Sequence, residues 1–160
     1  MAAKLSLPDQ LARQVERILV DLRRRTGAEC ILLTDISGQL IDAQGQALGI
    51  DPALVAVLAA GDIAATTKLN QQIGEPSHRG SFLHEGGKNS LYLFNVAGRF
   101  VLIAIFKTGT SLGRIRMLVS RAAEQLHPLT IDFEDFTGPP QQVSDARFGA
   151  RLAQDLDRIF

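Results

Sequence analysis

Three histidines, one cysteine, a few serines and two glycine-flanked polar residues are the side chains of this sequence that could do chemistry. Histidines bind metal or move protons, cysteine and serine attack carbonyls, and glycine-rich loops cradle phosphate. His78, His84 and His127 lie far apart, with no carboxylate or cysteine at ligand spacing. His84 and Glu85 are neighbours on a short strand, so they point to opposite faces. Ser37 and Ser90 lack the strained strand-to-helix turn of a nucleophile. A phosphate loop ending in Gly87-Lys88 needs a glycine six positions before the lysine, and Phe82 stands there. Asp35-Ile36-Ser37-Gly38 fits the D-x-x-G pattern of GTPases, but flanking apolar runs make it a hairpin turn. Cys30 opens an apolar strand and reads as a small buried hydrophobe. The expectation is no catalytic set, no metal and no cofactor.

The charges point to no bulk partner. Seventeen basic and seventeen acidic residues cancel, so no overall field draws the chain to nucleic acid or anionic lipid. Arg23, Arg24 and Arg25 end a helix, where positive charge suits the dipole. Arg114, Arg116 and Arg121 lie off the apolar stripe of another helix, as an exposed face. Asp62 and Lys68 are conspicuous because their helix is otherwise poor in charge. A single cysteine allows no internal disulfide and favours a cytoplasmic setting. The start is broken by Pro8, Asp9 and Arg13, unlike a signal peptide. The apolar runs fall short of the roughly 18 residues that a membrane span needs.

The elements follow from periodicity. Ser6 to Thr26 is predicted as a helix with a Ser6/Asp9 capping pair, the stripe Leu11, Val15, Ile18, Leu19 and Leu22, and a stop at Gly27. Strands at Cys30–Thr34 and Gln39–Ala43 form a hairpin about Gly38. Asp51-Pro52 opens a second helix running to about Ile73. Its alanines make it slim, and its larger apolar residues point in several directions, so cover beyond one sheet is expected. A short strand, Gly80–Glu85, precedes Ser90–Val96 and Phe100–Phe106. Phe100–Phe106 is apolar on both faces, which places it mid-sheet with cover above and below. Thr110 or Ser111 caps a third helix that ends near Leu126. The class is α+β, ordered helix-strand-strand-helix-strand-strand-strand-helix, with helices on both faces of a five-stranded antiparallel sheet. Apolar residues make up 46% of the chain, enough for one core.

Four segments in this order resemble the Roadblock (dynein light chain) domain family: Ile31 to Gly45, Val55 to Leu69, the strand pair ending in RFVLIAIF, and Thr110 to Leu126. The resemblance covers residues 5–127 and is nearest to the prokaryotic branch of small-GTPase regulators. It implies a homodimer, with the third strand paired to its copy and the second helices side by side. Ala60, Ala64, Gly80, Ser81, Phe82, Leu83 and His84 would then form the dimer interface. Asp62, Thr66, Lys68 and Leu69 would face a small Ras-like GTPase. Stimulation of hydrolysis, if any, would come from repositioning the GTPase's own groups.

Residues 128–160 extend beyond the resemblance. Gly138-Pro139-Pro140 reads as a linker. Ser144–Phe160 is predicted as a short amphipathic helix with Phe148, Leu152, Leu156 and Ile159 on one side, docking on its own dimer or on the GTPase. The leading function is a non-enzymatic homodimeric platform for a small GTPase. The alternative is a structural adaptor with no GTPase partner. A small-molecule sensor is disfavoured by the few convergent polar residues.

Overall fold

The computed structural model describes residues 6–75 and 80–137. The chain order is α1 (Asp9–Thr26), β1 (Cys30–Asp35), β2 (Leu40–Gly45), α2 (Pro52–Gln72), β3 (Ser81–Glu85), β4 (Asn89–Val96), β5 (Phe100–Lys107), α3 (Leu112–Leu126) and α4 (Leu129–Thr137). The five strands form one antiparallel sheet in the order β2-β1-β5-β4-β3. β5 is central, as its two-sided apolar run requires, and Phe100 to Phe106 are all buried.

Alternation along the strands splits the core into two layers. Ile31, Leu33, Tyr92, Leu102, Ala104 and Phe106 face α1, α3 and α4. Cys30, Leu32, Leu93, Val101, Ile103 and Ile105 face α2, meeting Ala59 and Ile63. Residues one apart therefore serve opposite layers, and a register slip would exchange them.

Local chemistry sets the ends of the elements. Asp35 Oδ1 accepts from Ser37 N at 3.1 Å, Ser37 Oγ at 2.7 Å and Gln39 N at 2.8 Å, closing the hairpin turn. The D-x-x-G match is thus a turn. Asp51 accepts from Ala53 N and Pro52 opens α2. Ser111 accepts from Arg114 N to cap α3. Gly27 ends α1 in the left-handed region at φ 68°.

Three expectations change. The capping position of α1 is Pro8, with no side-chain cap, so the Ser6/Asp9 pair does not form. Proline offers no acceptor side chain, and the helix starts later than Ser6. Second, Leu129–Thr137 is a helix where the sequence reads as the start of an extension. Leu129 and Phe133 are buried in the α1/α3 layer, and Phe133 meets Phe100 edge-on at 5.0 Å. Arg99 and Glu134 form an ion pair over this contact. Third, α2 is long and apolar enough to cross a membrane by length and composition, with mean hydropathy 1.4. Asp62 and Lys68 interrupt the run, but the surrounding alanine, leucine, valine and isoleucine residues keep it apolar on average. In this fold α2 packs along the sheet instead.

Candidate partner-binding surface on α2 and β3

α2 buries one seam, Ala56, Ala59, Ala60, Gly61 and Ile63, against the sheet. Its slimness has a local use. A Cβ placed on Gly38, at the tip of the β1–β2 hairpin, would lie 3.1 Å from Val57 Cα and 3.4 Å from Ala60 Cβ. The small residues admit the chain's own turn, which packs directly on the helix backbone.

The opposite side of α2 is apolar and exposed. Leu54, Val57, Leu58, Leu69 and Ile73 are 55–66% accessible. Leu54, Leu58, Leu69 and Ile73 recur at helical spacing on one side, so this is a stripe and not scattered residues. Among the described residues nothing covers it, so the cover beyond the sheet that the sequence pattern leads one to expect is not supplied by the described part of the chain.

Beside this stripe lies an open sheet edge. Among the described residues β3 pairs only with β4, through Ser81↔Phe94 to Glu85↔Ser90. Its outer backbone groups are a template for another strand. Phe82 packs into the α2 layer and Leu83 into the other. His84 shares the Phe82 side by strand alternation. Its Nε2 reaches Asp62 Oδ2 at 2.6 Å, so α2 and β3 are tied into one surface.

The candidate residues divide accordingly. Ser81 and His84 are exposed, while Gly80, Phe82 and Leu83 are half-buried. Ala64 is half-buried, but Ala60 is only 1% exposed and belongs to the chain's own packing. Lys68 and Leu69 are exposed, and Asp62 and Thr66 are half-buried. Asp62 and His84, assigned separately to partner and dimer surfaces, are partners of each other. That pair spans 22 residues, and no sequence spacing reveals it. Phe148, Leu152, Leu156 and Ile159 lie outside the described residues.

The site holds no catalytic constellation among the described residues. No group of three or more potential metal-ligating side chains is found there. Cys30 is buried at the base of the α2 layer. Burial pushes its thiol up from the ordinary value of 9.0, against a smaller opposing pull from Arg23. A thiol held protonated is a poor nucleophile.

An α+β domain of this order, in which α2 is the one described helix on its face of the sheet, has the Roadblock fold. It is similar to MglB of Myxococcus xanthus at 35% identity, with a TM-score of 0.69 over 74% of this chain and 96% of that one. The gliding protein MglB from Thermus thermophilus matches at 25% identity and a TM-score of 0.70, over 82% of this chain and 99% of that one. The Roadblock/LC7 domain from Streptomyces avermitilis shares the fold, with a TM-score of 0.63 at 12% identity, over 72% of this chain and 96% of that one. No protein-family model and no curated protein matches the sequence. The chain belongs to the Roadblock/LC7 family, alongside MglB.

Proposed function

We propose that this chain is a homodimeric, non-enzymatic platform that binds and regulates a small Ras-like GTPase in the cytoplasm. The observation that carries this reading is the exposed apolar stripe of α2 beside the open β3 edge, in a relative of MglB. β3 pairs with its copy, which turns two five-stranded sheets into one. The two α2 helices then lie side by side, with Ala64 and the half-buried Phe82 near the seam and Ala60 supporting it from below. Asp62, Thr66, Lys68 and Leu69 flank this joint surface and meet the GTPase. The platform supplies no arginine finger; it orients the GTPase's own groups. Phe148, Leu152, Leu156 and Ile159 dock the tail on the same dimer.

Two measurements test this. Light scattering at micromolar concentration should give a dimer, and Leu58→Asp should give a monomer with unchanged circular dichroism. A monomeric wild type removes the basis of the proposal. Capture from source-cell lysate with a non-hydrolysable GTP analogue and with GDP should enrich a GTPase in one state only. Nucleotide-independent capture of other proteins, without a GTPase, would favour the adaptor reading.

A further inference from the structure

The sheet has a second open edge. β2 lies at the end of the strand order opposite β3 and, among the described residues, pairs only with β1. Its register slips by one residue: Leu33 faces Asp42, but Thr34 faces Leu40, so Ile41 is extra. Simple alternation would turn Asp42 to the α2 side with Leu40. The bulge turns it to the α1 side instead, opposite Leu33 and beside Ile41. A carboxylate is thereby carried into an apolar layer, where Asp42 is 6% exposed. Gln44 Nε2 donates to its Oδ2 at 3.1 Å. Burying a charge is costly unless it is both paired and hydrogen-bonded.

Asp42 borders a groove of about 490 Å³ between α1 and β2. Val15 and Ile41 make this groove apolar, and Glu16 and Asp42 are the only charged residues among its described lining. The cleft continues past Gln44 to Arg23 and Gly27. Helix α1 and strand β2 therefore run along it in the same direction. Ser6 and Leu7 line its Ile41 end, and Leu7 packs on the core. The chain thus enters the groove at Ser6, and Pro8 favours extended backbone at Leu7. The four residues before Ser6 are Ala2, Ala3, Lys4 and Leu5. Extended, they span about 13 Å, the reach of four β2 positions. Their chemistry complements the groove: one base for its acids, and small or apolar side chains otherwise.

We propose that residues 2–5 run antiparallel to β2 as an edge strap, with Lys4 Nζ bonded to the Asp42 carboxylate. Alternation then turns Ala3 and Leu5 toward the half-buried Leu40 and Ala43. The covalent link through Ser6 keeps the effective concentration of the strap high. The strap blunts an edge that would otherwise be a template for any extended chain. With β2 bare, β2 of one copy and β3 of another would be free to pair head to tail, a contact that does not close. The strap lies on the edge away from β3, so it rests on neither the proposed dimer nor the GTPase.

The test is amide exchange of the full chain, joined to a two-variant cycle in urea. The Ile41–Gln44 amides that turn away from β1 should be protected in the wild type. Lys4→Glu sets a like charge against Asp42 and should speed their exchange at least about tenfold, while β5 keeps its rates. Lys4→Arg should preserve the wild-type protection. Asp42→Asn should cost less stability in Lys4→Met than in the wild type, because the pair is already broken there. Circular dichroism reports whether Asp42→Asn folds; if it does not, Lys4→Glu against Lys4→Arg decides alone. Unprotected amides in the wild type, or unchanged exchange in Lys4→Glu, overturn the proposal. So do costs of Lys4→Met and Asp42→Asn that simply add. Protection that falls on dilution would give the edge to a second copy and overturns it too.

Discussion

His84 Nε2 lies 2.6 Å from Asp62 Oδ2, joining the edge strand β3 to helix α2. Both side chains are partly open to solvent, 54% and 35%, so the pair adds at most about 1 kcal/mol to global stability. Its effect is local. In a protomer freed from its copy by Leu58→Asp, a five-residue edge strand held by one neighbour opens more readily than the central β5, and the following variants are read in that background. His84→Ala and Asp62→Asn should each reduce amide-exchange protection across Ser81–Glu85 while β5 protection is unchanged. The double variant should match either single variant, because one bond is lost in each case. Wild-type protection of β3 in Asp62→Asn would show that β4 alone holds the strand.

Gly45 and Gly27 are both left-handed, at φ 85° and φ 68°, but their surroundings differ. A Cβ on Gly27 meets nothing within 4 Å, whereas one on Gly45 would collide with Glu29 O and the Arg23 side chain. Arg23 Nε donates to Glu29 O at 3.3 Å across this point. Gly27→Ala should therefore cost only the backbone penalty, about 1–2 kcal/mol. Gly45→Ala should cost more, because backbone has to move as well. Urea midpoints of the two variants give the comparison; equal losses would remove the role assigned to close packing at Gly45.

The readable parts of this fold are those with a local signal. The uninterrupted apolar run of Phe100–Phe106 places β5 mid-sheet, and Asp35, Gly38, Asp51 and Ser111 mark turns and caps through short-range hydrogen bonds. α2 yields less, because apolar residues on most sides do not say which side meets the sheet. Ala60 reads as a surface for a second helix, yet the turn at Gly38 occupies it. α4 is hidden because its buried residues, Leu129, Thr130 and Phe133, include only one apolar i,i+4 pair, set among acids. The Asp62–His84 bond depends on how the chain returns to the sheet, which no spacing records.

α4 gives a further prediction. Phe133 is 6% exposed and packs edge-on against Phe100, while Phe136, less than one turn later, is 50% exposed. Phe133→Ala should destabilise by about 3–5 kcal/mol through lost burial and a cavity. Phe136→Ala should change stability by no more than about 0.5 kcal/mol. Denaturation curves with equal slopes would make the two values comparable. A small loss at Phe133 would mean that the Leu112–Leu126 and Asp9–Thr26 helices close the layer without α4.

Cys30 offers a test of burial in the α2 layer by pH. Desolvation is the main cause of its raised thiol value, with Arg23 opposing. The folded chain thus favours the protonated thiol more than the unfolded chain does. The resulting stabilisation is fully present below the unfolded thiol range and is lost as pH rises through the folded value. Cys30→Ala removes the titrating group and leaves a pH-independent packing cost. The stability difference between wild type and Cys30→Ala should be constant near about pH 7 and shift against the wild type toward about pH 10. The same burial should make Cys30 slow toward a disulfide reagent in the native state and fast once urea exposes it. A native rate equal to the unfolded rate, or a stability difference flat across that pH range, would place the thiol in water and contradict the packing of β1 beneath α2.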